Sequence, residues 1–305
     1  MTLRLRLLRV QGAHLADAER DVMGAVTVPG APAGSIIADE IGLETGFHGA
    51  YRLKSFYQPV FRVSGESLEP EALDACAKPM LDGQSVETEM FLLSVAPERE
   101  RQVRTLCSLL HIGNCHQMRE DGLSLHLGFD TERQSDADAM SHLAFMLARL
   151  AQTGVAPQAL VCGFRAAPDP LAEVSERLLE TLRSSGVRLS VDGFGPGQSA
   201  LERVEKLRPE IVKIDGGWFR RIAPVAPARR LLAKLVEGLK RQGASVLVKG
   251  VETPSQLEAA LDAGADLVQG DLLARRAMAG SVQELGPLEI DRFFRDPEKV
   301  VVSLR

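Results

Sequence analysis

The sequence predicts an α/β protein whose strands close into a barrel. From residue 55 onward, short runs of β-branched and apolar residues alternate with segments of helical periodicity, about eight of each. No Gly-x-Gly-x-x-Gly motif follows the first strand, which disfavours an open doubly wound sheet. Asp192 and Lys213 lie in or beside two of the predicted strands, and closed α/β barrels carry their chemistry at the carboxyl ends of their strands.

The predicted strands share β-branched or apolar composition and turn residues at their ends. They are residues 56–63, 86–94, 123–127, 160–164, 187–191, 211–214, 245–248 and 267–269. In the intervening segments, apolar residues recur at helical spacing, most clearly over 171–182 and 231–239. This alternation is typical of βα units and is the main reason to expect a barrel.

The barrel is assigned residues 51–285. Residues 1–50 are expected to form an N-terminal extension packed on it, with a short strand at 3–7, a helix at 15–23 and a turn-rich segment at 29–34. Residues 286–305 are expected to form a C-terminal tail that packs back onto the barrel.

Composition is that of a globular protein and excludes several functional classes. Of 305 residues, 45% are hydrophobic and 25% charged, which argues against a disordered or fibrous chain. The formal net charge of −5 gives no overall attraction to nucleic acid or to an anionic membrane, so neither is expected as a partner. The amino terminus alternates Leu and Arg where a secretory signal needs an unbroken apolar run, and a cytoplasmic location is therefore expected.

The four cysteines are not spaced as a metal or redox motif. Cys76, Cys107, Cys115 and Cys162 lie far apart and contain no Cys-x-x-Cys pair. They are interpreted as reduced thiols of an intracellular protein.

The most informative stretch is residues 186–197, Gly-Val-Arg-Leu-Ser-Val-Asp-Gly-Phe-Gly-Pro-Gly. It delivers the carboxylate of Asp192 from a strand into a loop whose glycines let the backbone approach a neighbour closely. Lys213 stands among β-branched residues in the next strand and needs a partner there. Two interpretations remain open: a functional site, or a structural one in which Asp192 caps the helix near residue 198 and Lys213 pairs with some carboxylate.

Six motifs in order make the chain resemble the EAL-domain phosphodiesterases of cyclic-di-GMP signalling. The resemblance covers about residues 54–280. The motifs are Tyr57-Gln58-Pro59-Val60, Glu71-Ala72-Leu73, Asp192-Gly193-Phe194-Gly195-Pro196-Gly197, Lys213-Ile214-Asp215, Lys249-Gly250-Val251-Glu252-Thr253 and Val268-Gln269-Gly270.

The resemblance implies a modified TIM-type (β/α)8 barrel in which two Mg²⁺ or Mn²⁺ ions sit between carboxylates and assist hydrolysis of a phosphodiester. Glu71 and Asp192 match metal ligands of the family. Lys213 matches its catalytic lysine, which is expected to be vestigial here. The remaining candidates for ligand binding are Gln58, Lys249, Gln269 and Arg275.

Several family positions are changed in this chain. The second aspartate of the pair is Gly193, and the first Glu of Glu-Gly-Val-Glu is Lys249. The family's Asn corresponds to His126. The Glu of its Glu-x-Thr-Glu strand falls on Cys162 or Gly163, and the last Glu of that strand falls near Arg165. No Arg stands soon after Glu71-Ala72-Leu73 to contact a phosphate. The two matched carboxylates therefore face two lysines, and the site is close to neutral before any metal enters.

These departures predict a catalytically degenerate EAL-like domain that acts as a regulatory or protein-interaction module. No cofactor is expected, with Mg or Mn required only if the family site still functions. A protein partner is expected, with cyclic-di-GMP as a second partner and a homodimer as one further assembly. The alternatives are a metal-independent cyclic-di-GMP receptor and an active phosphodiesterase. Lys249 is expected to pair with Asp192 or Glu71, or to contact a phosphate together with Arg165.

Overall fold

The computed structural model describes residues 35–117, 122–129, 135–166, 174–195, 197–281 and 285–295. The strand predicted at 3–7, the helix at 15–23 and the turn segment at 29–34 lie outside the described residues, as does the end of the chain after residue 295.

The described residues form thirteen strands. They are β1 (Ile36–Ala38), β2 (Glu44–His48), β3 (Tyr51–Ser64), β4 (Ser67–Leu81), β5 (Gln84–Ser85), β6 (Ser124–Gly128), β7 (Leu160–Arg165), β8 (Arg188–Phe194), β9 (Ile211–Ile214), β10 (Ser245–Val248), β11 (Leu267–Val268), β12 (Ala277–Met278) and β13 (Leu288–Glu289).

The helices lie between and after these strands. They are α1 (Thr88–Ser94), α2 (Pro97–Asn114), α3 (Asp136–Thr153), α4 (Glu176–Ser184), α5 (Gln198–Leu207), α6 (Gly216–Ile222), α7 (Ala226–Arg241), α8 (Pro254–Asp262) and α9 (Arg292–Arg295). Within the described ranges, no helix combines the length and the apolar character needed to cross a bilayer.

Eight of these strands close into a barrel in the order β3-β4-β6-β7-β8-β9-β10-β11, because β11 pairs with β3. Strands β4 to β11 of this ring are parallel where they adjoin, whereas β3 runs antiparallel to both its neighbours, β4 and β11. The predicted α/β barrel is thus confirmed, and the reversed first strand is what makes it a modified TIM-type barrel.

One predicted strand is wrong, and one strand of the barrel was missed, together with the short strands β1, β2, β5, β12 and β13. Residues 86–94 form mainly α1, while the second barrel strand is β4, which was not predicted. Short apolar runs do not distinguish helix from strand, and the sequence of α1, Thr-Glu-Met-Phe-Leu-Leu-Ser, is such a run. Strand β4 lacks the expected apolar pattern because charged residues and two prolines interrupt it.

The barrel interior begins with an apolar layer to which six strands contribute one side chain each. These side chains are Val60, Ala72, Val161, Ile211, Leu247 and Leu267, and they form one buried cluster. The larger core lies between the outer face of the barrel and the helices, where Leu125, Phe164 and Val191 are buried. Side chains alternate between the inside and the outside of the barrel along each strand. The residues two positions beyond the apolar layer therefore also point inward, at the mouth of the barrel formed by the carboxyl ends of the parallel strands.

Two loops at this mouth are held against each other by their backbones. The Val251 amide donates to the Gln269 carbonyl at 3.0 Å, and the Leu272 amide donates to the Val251 carbonyl at 3.1 Å. A Cβ on Gly270 would lie 2.0 Å from the Val251 carbonyl oxygen. Only glycine lets the segment after β11 approach the segment after β10 this closely.

Replacing Gly270 with Ala should therefore destabilise the fold by more than about 2 kcal/mol, because backbone rather than a flexible side chain opposes the new methyl group. Urea unfolding at neutral pH measures the loss. Gly238→Ala is the matched control: Gly238 lies within α7 with nothing within 4 Å of its Cβ position. That change should stabilise the chain by about 0.5–1 kcal/mol. Equal unfolding midpoints for the two variants would contradict this account of Gly270.

Candidate functional site

The candidate site lies at the carboxyl ends of the parallel strands, one layer beyond the apolar interior. Each of its main residues stands two positions along the chain from an apolar-layer residue, within a strand or just after it, with Gln58 on the reversed strand β3. The register across the barrel places Asp74 opposite Gln58 on one side and opposite His126 on the other. The set is Gln58, Asp74, Gly163, Lys213, Lys249 and Gln269.

Asp74 is the carboxylate on which the polar side chains converge. Its oxygens accept hydrogen bonds from Lys249 Nζ at 2.7 Å, Gln269 Nε2 at 3.3 Å and Lys213 Nζ at 3.4 Å. The Asp74 side chain is 15% exposed, so these contacts are only partly screened by solvent. Asp74 is therefore fully engaged by donors of this chain.

Lys213 connects Asp74 to a second carboxylate. Its ammonium lies 3.1 Å from Asp192 Oδ2, and its side chain is fully buried. Asp192 also accepts from Ser190 Oγ at 2.7 Å. Of the two interpretations left open by the sequence, the structure gives Asp192 no capping role, because the N-cap of α5 is Gly197, with no side-chain cap.

The ionisation of this network follows from opposing effects of burial and charge. Burial raises the pKa of Asp74, whereas the positive charges of Lys213 and then Lys249 lower it. Together the two lysines outweigh burial, so the pKa of Asp74 lies below its ordinary value. Burial lowers the pKa of Lys213, and this is outweighed by Asp192 and Asp74, which raise it. Both ends of the Lys213–Asp74 contact are therefore charged at neutral pH.

His126 enters the same region as a neutral side chain. It is 1% exposed, and neither ring nitrogen has a hydrogen-bond partner among the described residues. Burial and then Lys213 lower its pKa well below the ordinary value, while Asp74 acts in the opposite direction. The charge balance of the network is thus two carboxylates against the two ammonium groups of Lys213 and Lys249.

Of the two β7 residues Cys162 and Gly163, the one that faces the site is identified by its distance to Asp192. A Cβ on Gly163 would lie 2.4 Å from Asp192 Oδ2, so the Asp192 carboxylate fills the place of a side chain at 163. Cys162 points the other way, into the core between barrel and helices, where burial raises the pKa of its thiol to about 12. Gly163 is therefore the inward residue of the two candidates.

The structure does not bring Glu71 into the network, contrary to the placement expected from the sequence. The pairing of β3 with β4 shifts between Val60 and Phe61, so that Ala72 and Pro70 have partners across the strand pair and Glu71 has none. Its carboxylate accepts two hydrogen bonds from Arg62, at 2.6 and 3.0 Å. This bulge is the physical reason that Glu71 leaves the site and Asp74, three residues later, enters it.

Sequence reasoning missed Asp74, although one signal pointed to it. Asp74-Ala75-Cys76 repeats the order of acidic residue, alanine and apolar residue found in Glu71-Ala72-Leu73. Lys249 was expected to pair with Asp192 or Glu71, and that expectation is wrong: its partner is Asp74.

The remaining predicted residues, Gln58 and Arg275, differ in their contacts and exposure. Gln58 donates to Asp271 Oδ1 at 2.9 Å and to the Ala274 carbonyl at 3.1 Å, which ties β3 to the segment after β11. Arg275 is exposed on that segment. Gly193 has a φ of +71°, with nothing within 4 Å of its Cβ position. Within the described ranges, no three His, Cys, Asp or Glu side chains are grouped so as to hold a metal ion.

A family model described as EAL domain matches residues 48–276 of the chain. Cyclic di-GMP phosphodiesterase NbdA of Pseudomonas aeruginosa is 32% identical over 107 residues, which cover 35% of this chain and 14% of NbdA. The blue light- and temperature-regulated antirepressor BluF of Escherichia coli is 22% identical over 151 residues, or 48% of this chain and 36% of BluF. The chain spans less than a quarter of the length of NbdA and of two other curated relatives that it matches.

Solved structures share the fold at low sequence identity. The manganese and cyclic-di-GMP complex of Klebsiella pneumoniae BlrP1 at pH 6 matches with a TM-score of 0.66 and 17% identity, over 78% of this chain and 59% of that one. BlrP1 with FMN and cyclic di-GMP and no metal ions matches with a TM-score of 0.60 and 15% identity, over 77% of this chain and 56% of that one.

Replacing Lys213 with Met should destabilise the fold by about 3 kcal/mol or more, since it leaves Asp74 and Asp192 without their shared counter-charge. Because the pKa of Asp74 is depressed in the folded chain, this difference should be present at neutral pH and shrink as the pH falls below the ordinary carboxyl pKa of 3.8. Urea unfolding over that pH range measures both effects. Lys249→Met is the control and should cost less, since its side chain is 27% exposed. Equal losses at neutral pH would contradict the central role of Lys213.

Proposed function

This chain belongs to the EAL domain family, and we propose that it regulates by binding and does not hydrolyse cyclic-di-GMP. The observation that carries the proposal is the 2.7 Å contact between Lys249 Nζ and Asp74. The Lys249 ammonium therefore neutralises Asp74, the carboxylate that β4 contributes to the site. With Lys213 between Asp74 and Asp192, both site carboxylates already have a cationic partner.

The residues present do not fit the pair of divalent cations that the family resemblance implies. Two such ions close together need a dense set of anionic oxygen ligands. Here Gly163 and Gly193 supply no side chain, and Asp74 and Asp192 are balanced by Lys213 and Lys249. A dication at 4 Å from an ammonium group is repelled by several kcal/mol at an effective dielectric constant of about 20. No hydrolytic step is therefore assigned to this site.

Action through a protein partner is supported by one relative. BluF is named an antirepressor, and it is 22% identical to this chain over 151 residues. We extend that mode of action to this chain as part of the proposal: the barrel serves as a rigid scaffold, and regulation comes from contact with another protein. A partner of this kind needs neither the metal ions nor the catalytic carboxylates.

A second candidate is metal-independent binding of cyclic-di-GMP. It is favoured by the structure of BlrP1 with FMN and cyclic di-GMP and no metal ions. In this chain the 27% exposed Lys249 could exchange the Asp74 carboxylate for a ligand phosphate, since both are anionic acceptors of charge-assisted hydrogen bonds.

Purified protein incubated with cyclic-di-GMP and Mn²⁺ should yield no linear dinucleotide, because Asp74 and Asp192 are held by ammonium groups. Chromatography of the nucleotide products measures the reaction. Asp74→Asn and Glu71→Ala form a matched pair, since Asp74 lies in the network and Glu71 pairs outside it with Arg62. Hydrolysis by the natural chain that Asp74→Asn abolishes and Glu71→Ala spares would overturn the proposal.

Calorimetric titration with cyclic-di-GMP in the presence of a chelator tests the second candidate. If the ligand binds without metal, Lys249→Ala should weaken binding by about tenfold or more, the loss of one charge-assisted contact to phosphate. The control Lys206→Ala alters an exposed lysine of α5 and should leave binding unchanged. Absence of heat in chelator and in Mg²⁺ alike would exclude the receptor and leave the protein-binding role.

A further inference from the structure

Among the described residues, two strands of the barrel, β6 and β8, contribute no side chain to the apolar layer. Their inward positions carry polar residues instead, Ser124 and His126 on β6 and Arg188 and Ser190 on β8. These four residues, with Val161 of the strand between them, define an interior polar gap. We propose that this gap binds a small monovalent inorganic anion, such as chloride or nitrate. The inference does not depend on whether the chain hydrolyses a phosphodiester.

Strand register brings the polar side chains together inside the barrel. His126 and Arg188 stand opposite Val161, one on each side of it. Ser124 stands opposite Ala72. Val161 and Ala72 belong to the apolar layer, so their register partners also point inward. The Arg188 side chain donates a hydrogen bond to Ser124 Oγ and therefore spans β7 on the inner side of the barrel.

The gap contains hydrogen-bond donors without acceptors. Both ring nitrogens of His126 and Nε of Arg188 are buried and have no hydrogen-bond partner in the part of the chain that the structure describes. A neutral imidazole has one N–H donor, and Arg188 Nε–H is a second. The Ser124 hydroxyl accepts from Arg188 and keeps its own hydrogen as a third donor. Because buried donors are almost always paired in folded proteins, these three indicate an acceptor that does not come from the described side chains.

Arg188 also brings a positive charge that no carboxylate balances. Across the described ranges it forms no ion pair, and its hydrogen-bond partner Ser124 is uncharged. Burial and Lys213 lower the pKa of His126, and the charge of Arg188 lowers it further, so the guanidinium lies close to the imidazole. The two lysines and two carboxylates at the mouth already balance one another. One bound negative charge would therefore neutralise the gap.

The surroundings of the gap select the size and the charge of its ligand. Strands β6 and β8 lie about 10 Å apart, one on each side of β7, which leaves room between their side chains for a single atom or a small planar ion. The Asp192 carboxylate, which accepts from Ser190 Oγ at 2.7 Å, borders the gap and repels a second negative charge. A metal cation would be repelled by Arg188, and a water molecule would leave the charge of Arg188 unbalanced. A monovalent anion satisfies both the donors and the charge.

Thermal unfolding of the chain at neutral pH and constant ionic strength tests the inference, with sodium gluconate replaced stepwise by sodium chloride. The unfolding temperature should rise saturably, by about 2 °C once chloride reaches about ten times its dissociation constant. Arg188→Gln should abolish this rise, because glutamine can still donate to Ser124 but carries no charge. The control Arg183→Gln alters an exposed arginine of α4 that donates to the Leu207 carbonyl at 2.8 Å, and it should keep the rise. A rise that does not saturate, or one of equal size in Arg188→Gln, would overturn the inference.

Crystals of the unchanged chain grown in sodium bromide provide a second test, which holds even if Arg188→Gln does not fold. Anomalous scattering should place one bromide within hydrogen-bond reach of Arg188 Nε and of a His126 ring nitrogen. A water molecule or a metal ion at that position, or bromide at surface positions alone, would contradict the inference. So would bromide in the gap without saturable stabilisation in solution, which would mean binding at crystal concentration only. None of these measurements involves cyclic-di-GMP, so the proposed absence of phosphodiesterase activity stands or falls separately.

Discussion

The ammonium group of Lys213 lies between two carboxylates, 3.1 Å from Asp192 and 3.4 Å from Asp74, at the mouth of a closed barrel. Because the lysine is fully buried, its charge is tolerable only with both partners in place. Lys213 lies on β9, Asp192 on the adjacent strand β8, and Asp74 on β4 across the barrel. Lys249, in the loop after β10, pairs with Asp74 and balances the second negative charge. The architecture at this end of the barrel is therefore tied to one ionic network.

That network links the fold to the proposed function. The barrel places six strands so that one apolar layer is followed by one polar layer, and this scaffold is independent of what the polar layer contains. Glycine at 163 and 193 removes side chains from the polar layer, and lysine at 249 adds a positive charge to it. A site of this composition is internally neutralised.

The sequence allowed the buried strands to be predicted but not the full composition of the site. Strands such as β9, Ile-Val-Lys-Ile, stand out because β-branched residues are continuous, and Asp192 and Lys213 follow from their positions in or beside such strands. Gln269 was identified only through the family resemblance. Strand β4 was missed because it is polar and interrupted by Pro70 and Pro79. The exchange of Glu71 for Asp74 depends on a bulge, and the pairing of Lys249 with Asp74 depends on register across the barrel. Neither the position of the bulge nor the register across the barrel can be obtained from local pattern.

The central claim is that ammonium groups of this chain hold the two site carboxylates and leave them no capacity for metal ions. Calorimetric titration of Mn²⁺ into metal-free protein at neutral pH tests it most directly. The account predicts no saturable Mn²⁺ binding that depends on Asp74 or Asp192. Two Mn²⁺ ions bound per chain, with both lost on Asp74→Asn and retained on Glu71→Ala, would contradict it.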